Sequence, residues 1–455
     1  MSRVLSEFSR LAGGELRGVD RSFASVSSDS RTLTPGDLFV ALSGPNFDGH
    51  HFVAAAAAAG AVAAVVSHVV EAPIAQVLVD DPLAALQRVA AQWRARHPIP
   101  VVGVAGSNGK TTTKELIAAI LAVRGPSLAT RGNLNNHIGV PLTLMRLGNE
   151  HRSAVIEMGA NACGDIAALV PWVAPTVGVV TNAGAEHLEG FVNLDGVAAG
   201  EGELFEGLPA VGTAVINADD EYANYWRSRT ASERVLSFGL TQPADFTAQN
   251  LQTTLGEEGF QSHFTLVCPA GSQSISLALG GTHNVHNALA AAAAAFAAGA
   301  SLPEIRQGLA AVRPVKGRLQ PKRAVNGARL IDDSYNANPS SVLAGFAVLS
   351  TLPGERWLVL GDMGELGANE VEFHRQVALQ ARQAGIARLY AIGSLTVHTV
   401  EAFGAGAQWF NSAPELAAAV SGDLHSDVTV LIKGSRLNRL ERVVDALLLP
   451  VAVAS

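Results

Sequence analysis

One stretch of the chain carries the parts needed to hold polyphosphate. Residues 101–115 read VVGVAGSNGKTTTKE: an apolar strand, then Gly106, Ser107, Asn108, Gly109, Lys110 and Thr111, with Thr112 already in a helix. Glycines let backbone N–H groups converge on an anion, and a helix N-terminus adds the positive end of its dipole. Lys110 would reach the β- and γ-phosphates, and the Thr111 hydroxyl would ligate Mg²⁺. The spacing departs from the usual template by one place: Val104 stands where its first glycine belongs, and glycines fall at 103, 106 and 109. The physical parts remain.

Two further groups suit the same chemistry. Glu157 closes the apolar run 153–157. A carboxylate at the C-terminal end of a strand beside a phosphate loop is placed to hold Mg²⁺, the plainer alternative being a solvated strand-end acid. His187 lies in TNAGAEHLEGF (181–191), after the next strand. It is either a second metal ligand or a structural or surface histidine. The chain has only five lysines (110, 114, 316, 322 and 433) among 32 Lys and Arg residues, so each raises the question of why an arginine would not serve.

The elements that must position these groups follow from periodicity. From residue 101 the chain repeats strand, glycine turn and helix: strand 101–106 before helix 111–123, strand 153–159 before helix 164–170, and strand 176–182 before a long loop. Such alternation predicts a parallel sheet covered by helices. A strand-rich stretch at 234–279 and helices 285–298 and 303–311 complete this unit. Upstream, strands 37–42, 61–67 and 75–81 and an alanine-rich helix 52–60 predict a small α/β unit, joined through helix 83–95. Beyond a Pro/Gly stretch at 313–321, strands at 328–334, 356–362, 388–393 and 428–434 predict a second doubly wound, Rossmann-like α/β domain. The fold class is therefore α/β, in three domains at 1–84, 85–313 and 314–455.

Composition limits the alternatives. The 455 residues are 48% hydrophobic and 16% charged, with a net charge of −8. That excludes disorder and a general basic surface for nucleic acid. Two cysteines, Cys163 and Cys268, cannot build a disulfide framework or a cysteine zinc site. The longest apolar runs, 52–66 and 288–300, fall short of the roughly 20 residues needed to cross a bilayer. The opening MSRVLSEFSR lacks the pattern of a secretory signal. A cytoplasmic protein without a membrane span is expected, as a monomer.

Several strings together resemble one family, the ATP-dependent Mur ligases of peptidoglycan synthesis. They are SSDSRTLTPGDLFVAL with FDGHHF, GSNGKTTTKE, RGNLNNHIGVPLTL, VIEMGANACGDIA, TNAGAEHLEGF, GTHNVHNALAA, KGRLQ, DDSYNANPSS, LGDMGELG and LIKGSR. The resemblance covers essentially the whole chain. It implies a first domain for the UDP-linked substrate, a central ATPase domain of P-loop type, and a third domain that binds the incoming amine and closes on ATP. GNLNNHIGVPLTL, DDSYNANPSS and GDMGELG point within the family to addition of D-Ala-D-Ala to UDP-N-acetylmuramoyl-tripeptide. The tripeptide carboxylate would take the γ-phosphate of ATP, and the dipeptide amine would displace phosphate from the acyl phosphate.

The resemblance also implies roles. Residues 106–112 and Glu157 would hold MgATP, and His187 a second metal. Asn287 would contact adenine; a helix-start asparagine is the alternative. Arg318 would lie near phosphate and Asp333 near ribose. Ser28, Asp29, Ser30 and Arg31 would meet the UDP end, although that string also reads as a simple turn. Asn336, Asn338, Lys433, Ser435 and Arg436 are candidates for the dipeptide. One position departs from the pattern. The family carries a CO₂-modified lysine about a dozen residues after the loop histidine; Glu201 stands there instead, and no lysine occurs between residues 115 and 315. Glu201 would supply a permanent carboxylate in its place. The rivals are a Mur ligase adding the third amino acid, for which no Asp-Asn-Pro-Arg-type string is present, a folylpolyglutamate synthase, and a nucleotide-dependent switch with no covalent product.

Overall fold

Strand Val101–Ala105 is buried along its whole length, and the central sheet is built around it. Its strands run in the order Arg234–Phe238, Thr213–Asn217, Val177–Val180, Val101–Ala105, Ser153–Glu157 and Ser127–Ala129, all parallel. Parallel strands bring their C-terminal ends to one edge, where α/β sheets hold ligands. There the loops after 105, 157 and 180 meet. The computed structural model describes residues 3–256, 259–324 and 327–448; the outer ends of the first and third expected domains lie outside the described residues.

The expected long loop after the third strand is in fact two helices, Leu188–Phe191 and Leu194–Glu206. The sequence LDGVAAGEGELFE hides the second one because glycine opposes helix by about 1 kcal/mol each. Packing overrides that preference. Asn193 caps the helix by accepting the Gly196 N–H at 2.9 Å, and Val197, Ala198, Leu204 and Phe205 are buried against the sheet. A Cβ on Gly200 would come 2.4 Å from the Phe191 ring, and one on Gly202 would come 2.9 Å from Trp226. Close approach also explains the strand glycines: a Cβ on Gly103 would lie 3.0 Å, and one on Gly178 3.1 Å, from Leu204.

The strand-rich stretch divides. Strand Arg234–Phe238 joins the parallel sheet, while Thr247–Gly256, Gly259–Cys268 and Gly271–Leu277 form a separate antiparallel sheet. Helix Thr282–Ala297 is buried from 288 to 295, and it packs with helix Lys110–Ala122 in one apolar core. Alanine permits so close a fit.

The first sheet runs Glu15–Arg17, Ala75–Leu78, Ala63–Val66, Leu38–Val40 and Val26–Ser27, antiparallel only at its first strand. Helix Pro82–Ala95, capped by Asp81 with proline at its first position, spans the boundary read at 84/85. One core continues from Leu5 and Phe8 through Trp93 to Ile156 and Phe205. The third sheet runs Gln320–Arg323, Arg329–Asp333, Val428–Lys433, Glu355–Gly361, Ile386–Ile392 and Ala407–Phe410. Its first strand, which begins at the end of the Pro/Gly stretch 313–321, is antiparallel and the rest are parallel. Among the described residues, no helix is long and apolar enough to cross a membrane.

Candidate active site

Strand Val101–Ala105 runs into a turn that only glycine can make. Gly106 (φ 116°) and Gly109 (φ 84°) occupy the left-handed region, and a Cβ would come 2.2 Å from Thr181 Oγ1 or 2.3 Å from Asn287 Oδ1 respectively. Helix Lys110–Ala122 begins at once, with no side-chain cap, so its first N–H groups remain available to an anion. Asn182 braces the turn: its Oδ1 accepts the Asn108 N–H at 3.0 Å and its Nδ2 donates to Asn108 O at 2.9 Å.

Lys110 Nζ lies 3.1 Å from Ser107 O and 3.1 Å from Glu186 Oε1. Burial acts to depress its pKa, but Glu186, Glu201 and Glu157 outweigh this and raise it, so the ammonium stays charged. Thr111 Oγ1 donates to Glu157 Oε1 at 3.3 Å, and Asn135 Nδ2 donates to the same oxygen at 3.0 Å. Glu157 is 2% exposed, and its Oε2 is buried without a hydrogen-bond partner. An unpaired buried carboxylate oxygen beside a hydroxyl is a site that a hard cation completes. Thr111 and Glu157 therefore fit Mg²⁺.

Glu201 is completely buried on helix Leu194–Glu206. Its Oε2 accepts the Gly106 N–H at 2.6 Å, while Oε1 has no partner. Burial pushes its carboxyl pKa up to about 7, with Glu186 adding to the rise and Lys110 and the Gly106 N–H opposing it.

Segments flanking the strands of the third sheet meet this loop directly. Arg318 Nη2 donates to Thr111 Oγ1 at 3.1 Å, with its guanidinium 4.5 Å above the Tyr335 ring. Asn338 caps helix Pro339–Ser350, and its Nδ2 donates to Asn108 Oδ1 at 2.9 Å; Asn108 Nδ2 reaches Ser340 Oγ at 3.0 Å. Lys433 Nζ lies 2.6 Å from Asp333 Oδ2 and 3.0 Å from Asn336 O. Between these walls opens a cleft of about 850 Å³, lined by Asn108, Gly109, Asn287, Arg318, Asp333 and Lys433 and floored by apolar groups such as Leu251 and Leu279. On its far side Asp219 pairs with His286 Nε2 at 2.8 Å. Burial alone would raise the Asp219 pKa, but the N–H groups of Leu240 and Gln242, the Thr241 hydroxyl and His286 hold it well below the carboxylate range. His283, also on the wall, is pushed down to about 4 by burial.

Known proteins share this fold. Family models described as "Mur ligase family, catalytic domain", "Mur ligase middle domain" and "Mur ligase, glutamate ligase domain" match residues 22–94, 104–295 and 317–436. The UDP-N-acetylmuramoyl-tripeptide–D-alanyl-D-alanine ligase of Escherichia coli (strain K12) is 43% identical over 449 residues, 98% of each chain. This chain belongs to the Mur ligase family. Among solved structures, MurF from Acinetobacter baumannii superposes with a TM-score of 0.90 at 32% identity, covering 98% of this chain and 99% of that one. MurF ligase from Thermotoga maritima, in complex with ADP, gives 0.82 at 25% identity, covering 93% and 96%. As a Mur ligase, the chain is an ATP-dependent ligase.

In this Mur ligase, residues 106–112, Glu157, Glu201, Asn287, Arg318, Asp333, Asn338 and Lys433 gather around the loop and cleft. His187 does not join Glu157. Its Nδ1 pairs with Glu365 Oε2, the Leu188 N–H donates to Glu365 O at 2.9 Å, and both His187 and Glu365 have positive φ. Among the described residues, no three His, Cys, Asp or Glu side chains gather as a metal site. Ser28–Arg31 form a turn outside the cleft lining, where Arg31 pairs with Asp29 at 2.8 Å. Arg436 is exposed and paired with Glu441, Ser435 bonds Asn438, and Asn336 reaches the cleft lysine only through its carbonyl. Asn182, Glu186, Asn135, Asp219 and Glu365 were given no role from the sequence. All but Asp219 lie in strings already singled out, Asn182 and Glu186 in the same loop as His187.

Proposed function

We propose that this ligase joins D-alanyl-D-alanine to UDP-N-acetylmuramoyl-tripeptide, converting ATP to ADP and phosphate, in peptidoglycan precursor synthesis. The 43% identical relative of that name and the MurF structures support the reading. The observation that carries it is the meeting of Arg318 with Thr111 at 3.1 Å: a cation from the turn leading into the third sheet reaches a hydroxyl in the first turn of the phosphate helix.

In the proposed reaction a tripeptide carboxylate oxygen attacks the γ-phosphorus and ADP leaves. The dipeptide amine then attacks the acyl carbon, and inorganic phosphate leaves with the electron pair of the broken C–O bond. A carboxylate is a poor acyl electrophile, and phosphorylation supplies the leaving group. Lys110 and Arg318 offset charge on the transferring phosphoryl, while Asn287 and Asp333 orient the nucleoside. Thr111 and Glu157 would hold Mg²⁺, which supplies further charge neutralisation at the phosphates. Glu201 stands in for the family's modified lysine as a carboxyl group built into the chain behind the loop. Lys433 is the cation proposed for the dipeptide carboxylate; Asn336, Asn338, Ser435 and Arg436 are the further groups proposed for the dipeptide, and Arg436 would have to turn from Glu441 to reach it. Serving that role requires Lys433 to share its present contact with Asp333. Ser28–Arg31 would receive the UDP end.

The test is phosphate release measured with UDP-N-acetylmuramoyl-tripeptide and either D-Ala-D-Ala or single amino acids. Turnover is expected only with tripeptide and dipeptide together, and it should vanish in Lys110→Ala. Turnover with a free amino acid, or with ATP alone, would overturn the assignment.

A further inference from the structure

Lys114 takes no part in the scheme above, yet it is 0% exposed. It stands one turn along helix Lys110–Ala122 from the phosphate lysine. Burying an ammonium is costly, and methionine or leucine would fill similar space without that cost. Its Nζ donates to Thr130 O at 2.8 Å and to Glu115 Oε1 at 2.5 Å. The Glu115 side chain is partly exposed and borders the nucleotide cleft.

Thr130 connects this ammonium to the chemistry. It follows the three-residue edge strand Ser127–Ala129 and is 2% exposed. Its N–H donates to Val155 O at 3.1 Å, and its Oγ1 accepts the Glu157 N–H at 2.9 Å. A continuous path therefore runs from the Lys114 ammonium to the Thr130 carbonyl, and from the Thr130 hydroxyl to the Glu157 amide. Its two ends are the helix that carries Thr111 and the strand that carries Glu157, whose side chains lie 3.3 Å apart.

We infer that Lys114 is a positioning residue for the Thr111–Glu157 pair, acting through Thr130 to fix the spacing into which a divalent cation fits. The inference rests on the reading of Thr111 and Glu157 given above. It also accounts for a lysine in a chain that otherwise prefers arginine: the enclosed site offers two acceptors to a compact ammonium, whereas a guanidinium is a wider planar fork.

The experiment is calorimetric ADP binding with and without Mg²⁺ for wild type, Lys114→Met, Thr130→Val and Glu115→Gln, with melting temperatures recorded alongside. In Lys114→Met and Thr130→Val, metal-free ADP affinity should stay within about twofold of wild type while the gain on adding Mg²⁺ falls about tenfold or more, the range for groups that orient metal ligands. Glu115→Gln should keep the full Mg²⁺ gain. A merely structural lysine would lower the melting temperature and leave that gain intact in both variants, which would overturn the inference. If Lys114→Met does not fold, Thr130→Val, which keeps the carbonyl that Lys114 bonds and removes only the hydroxyl, still tests the link to Glu157, and an intact Mg²⁺ gain there overturns the inference. A wild type that shows no Mg²⁺ gain would instead refute the reading of Thr111 and Glu157.

Discussion

Replacing Glu201 with glutamine should change how stability depends on pH. The buried carboxyl has its pKa pushed up from 4.5 to about 7. Between those values the unfolded chain has lost this proton and the folded one keeps it. The favourable contribution of the neutral acid is complete below pH 4.5, declines as pH rises to 7, and is gone above. A rise of about 2.5 units corresponds to about 3 kcal/mol. The substituted amide would not ionise, and its oxygen can still accept the Gly106 N–H; its nitrogen would occupy the unpaired position of Oε1 at a fixed cost of about 1–3 kcal/mol. That cost does not vary with pH, so the slope isolates the carboxyl. Relative to wild type, Glu201→Gln should therefore gain about 3 kcal/mol between about pH 4.5 and 7.5. Urea unfolding without metal at half-unit pH steps reads this directly, followed by tryptophan emission, since Trp226 donates to Ala198 O under the same helix. A difference that stays flat across the range would refute the buried, partnerless carboxyl. The same variant should lose turnover, and wild-type turnover should not respond to bicarbonate.

Gly109→Ala should weaken ADP binding about tenfold or more in a calorimetric titration, because a left-handed non-glycine residue costs about 1–2 kcal/mol and its Cβ would strike Asn287. Arg318→Ala removes both the bond to Thr111 and the contact with Tyr335. It should lower kcat by about 10²–10³ while ADP affinity falls far less, as expected for a group that acts on developing charge; steady-state kinetics beside ADP titration would show the split.

What was readable in the sequence was what short spacing determines. Strand, glycine turn and lysine at 101–111 lie within a dozen residues, and Glu157 is placed by the end of its own strand. Helix Leu194–Glu206 was not readable. Its glycines lower local helix preference, and they make sense only once Phe191, Trp226 and the sheet are known to crowd them. The same holds for the partners of charged groups. Nothing near His187 in sequence announces Glu365, and nothing near Lys433 announces Asp333; each pair forms between separate loops or strands.

These pairings bear on how the site works. The cations assigned to phosphate and dipeptide already have partners: Lys110 has Glu186, Lys433 has Asp333, and Arg318 has the Thr111 hydroxyl. The two carboxylates behind the loop are the reverse case, since Glu157 and Glu201 each keep one buried oxygen without a donor. A polyanion arriving alone would have to compete for occupied cations and face unsatisfied acids. One arriving with Mg²⁺ supplies what Glu157 lacks while its phosphates compete for Lys110 and Arg318. Metal and nucleotide binding should therefore be coupled, each tightening the other by the same factor.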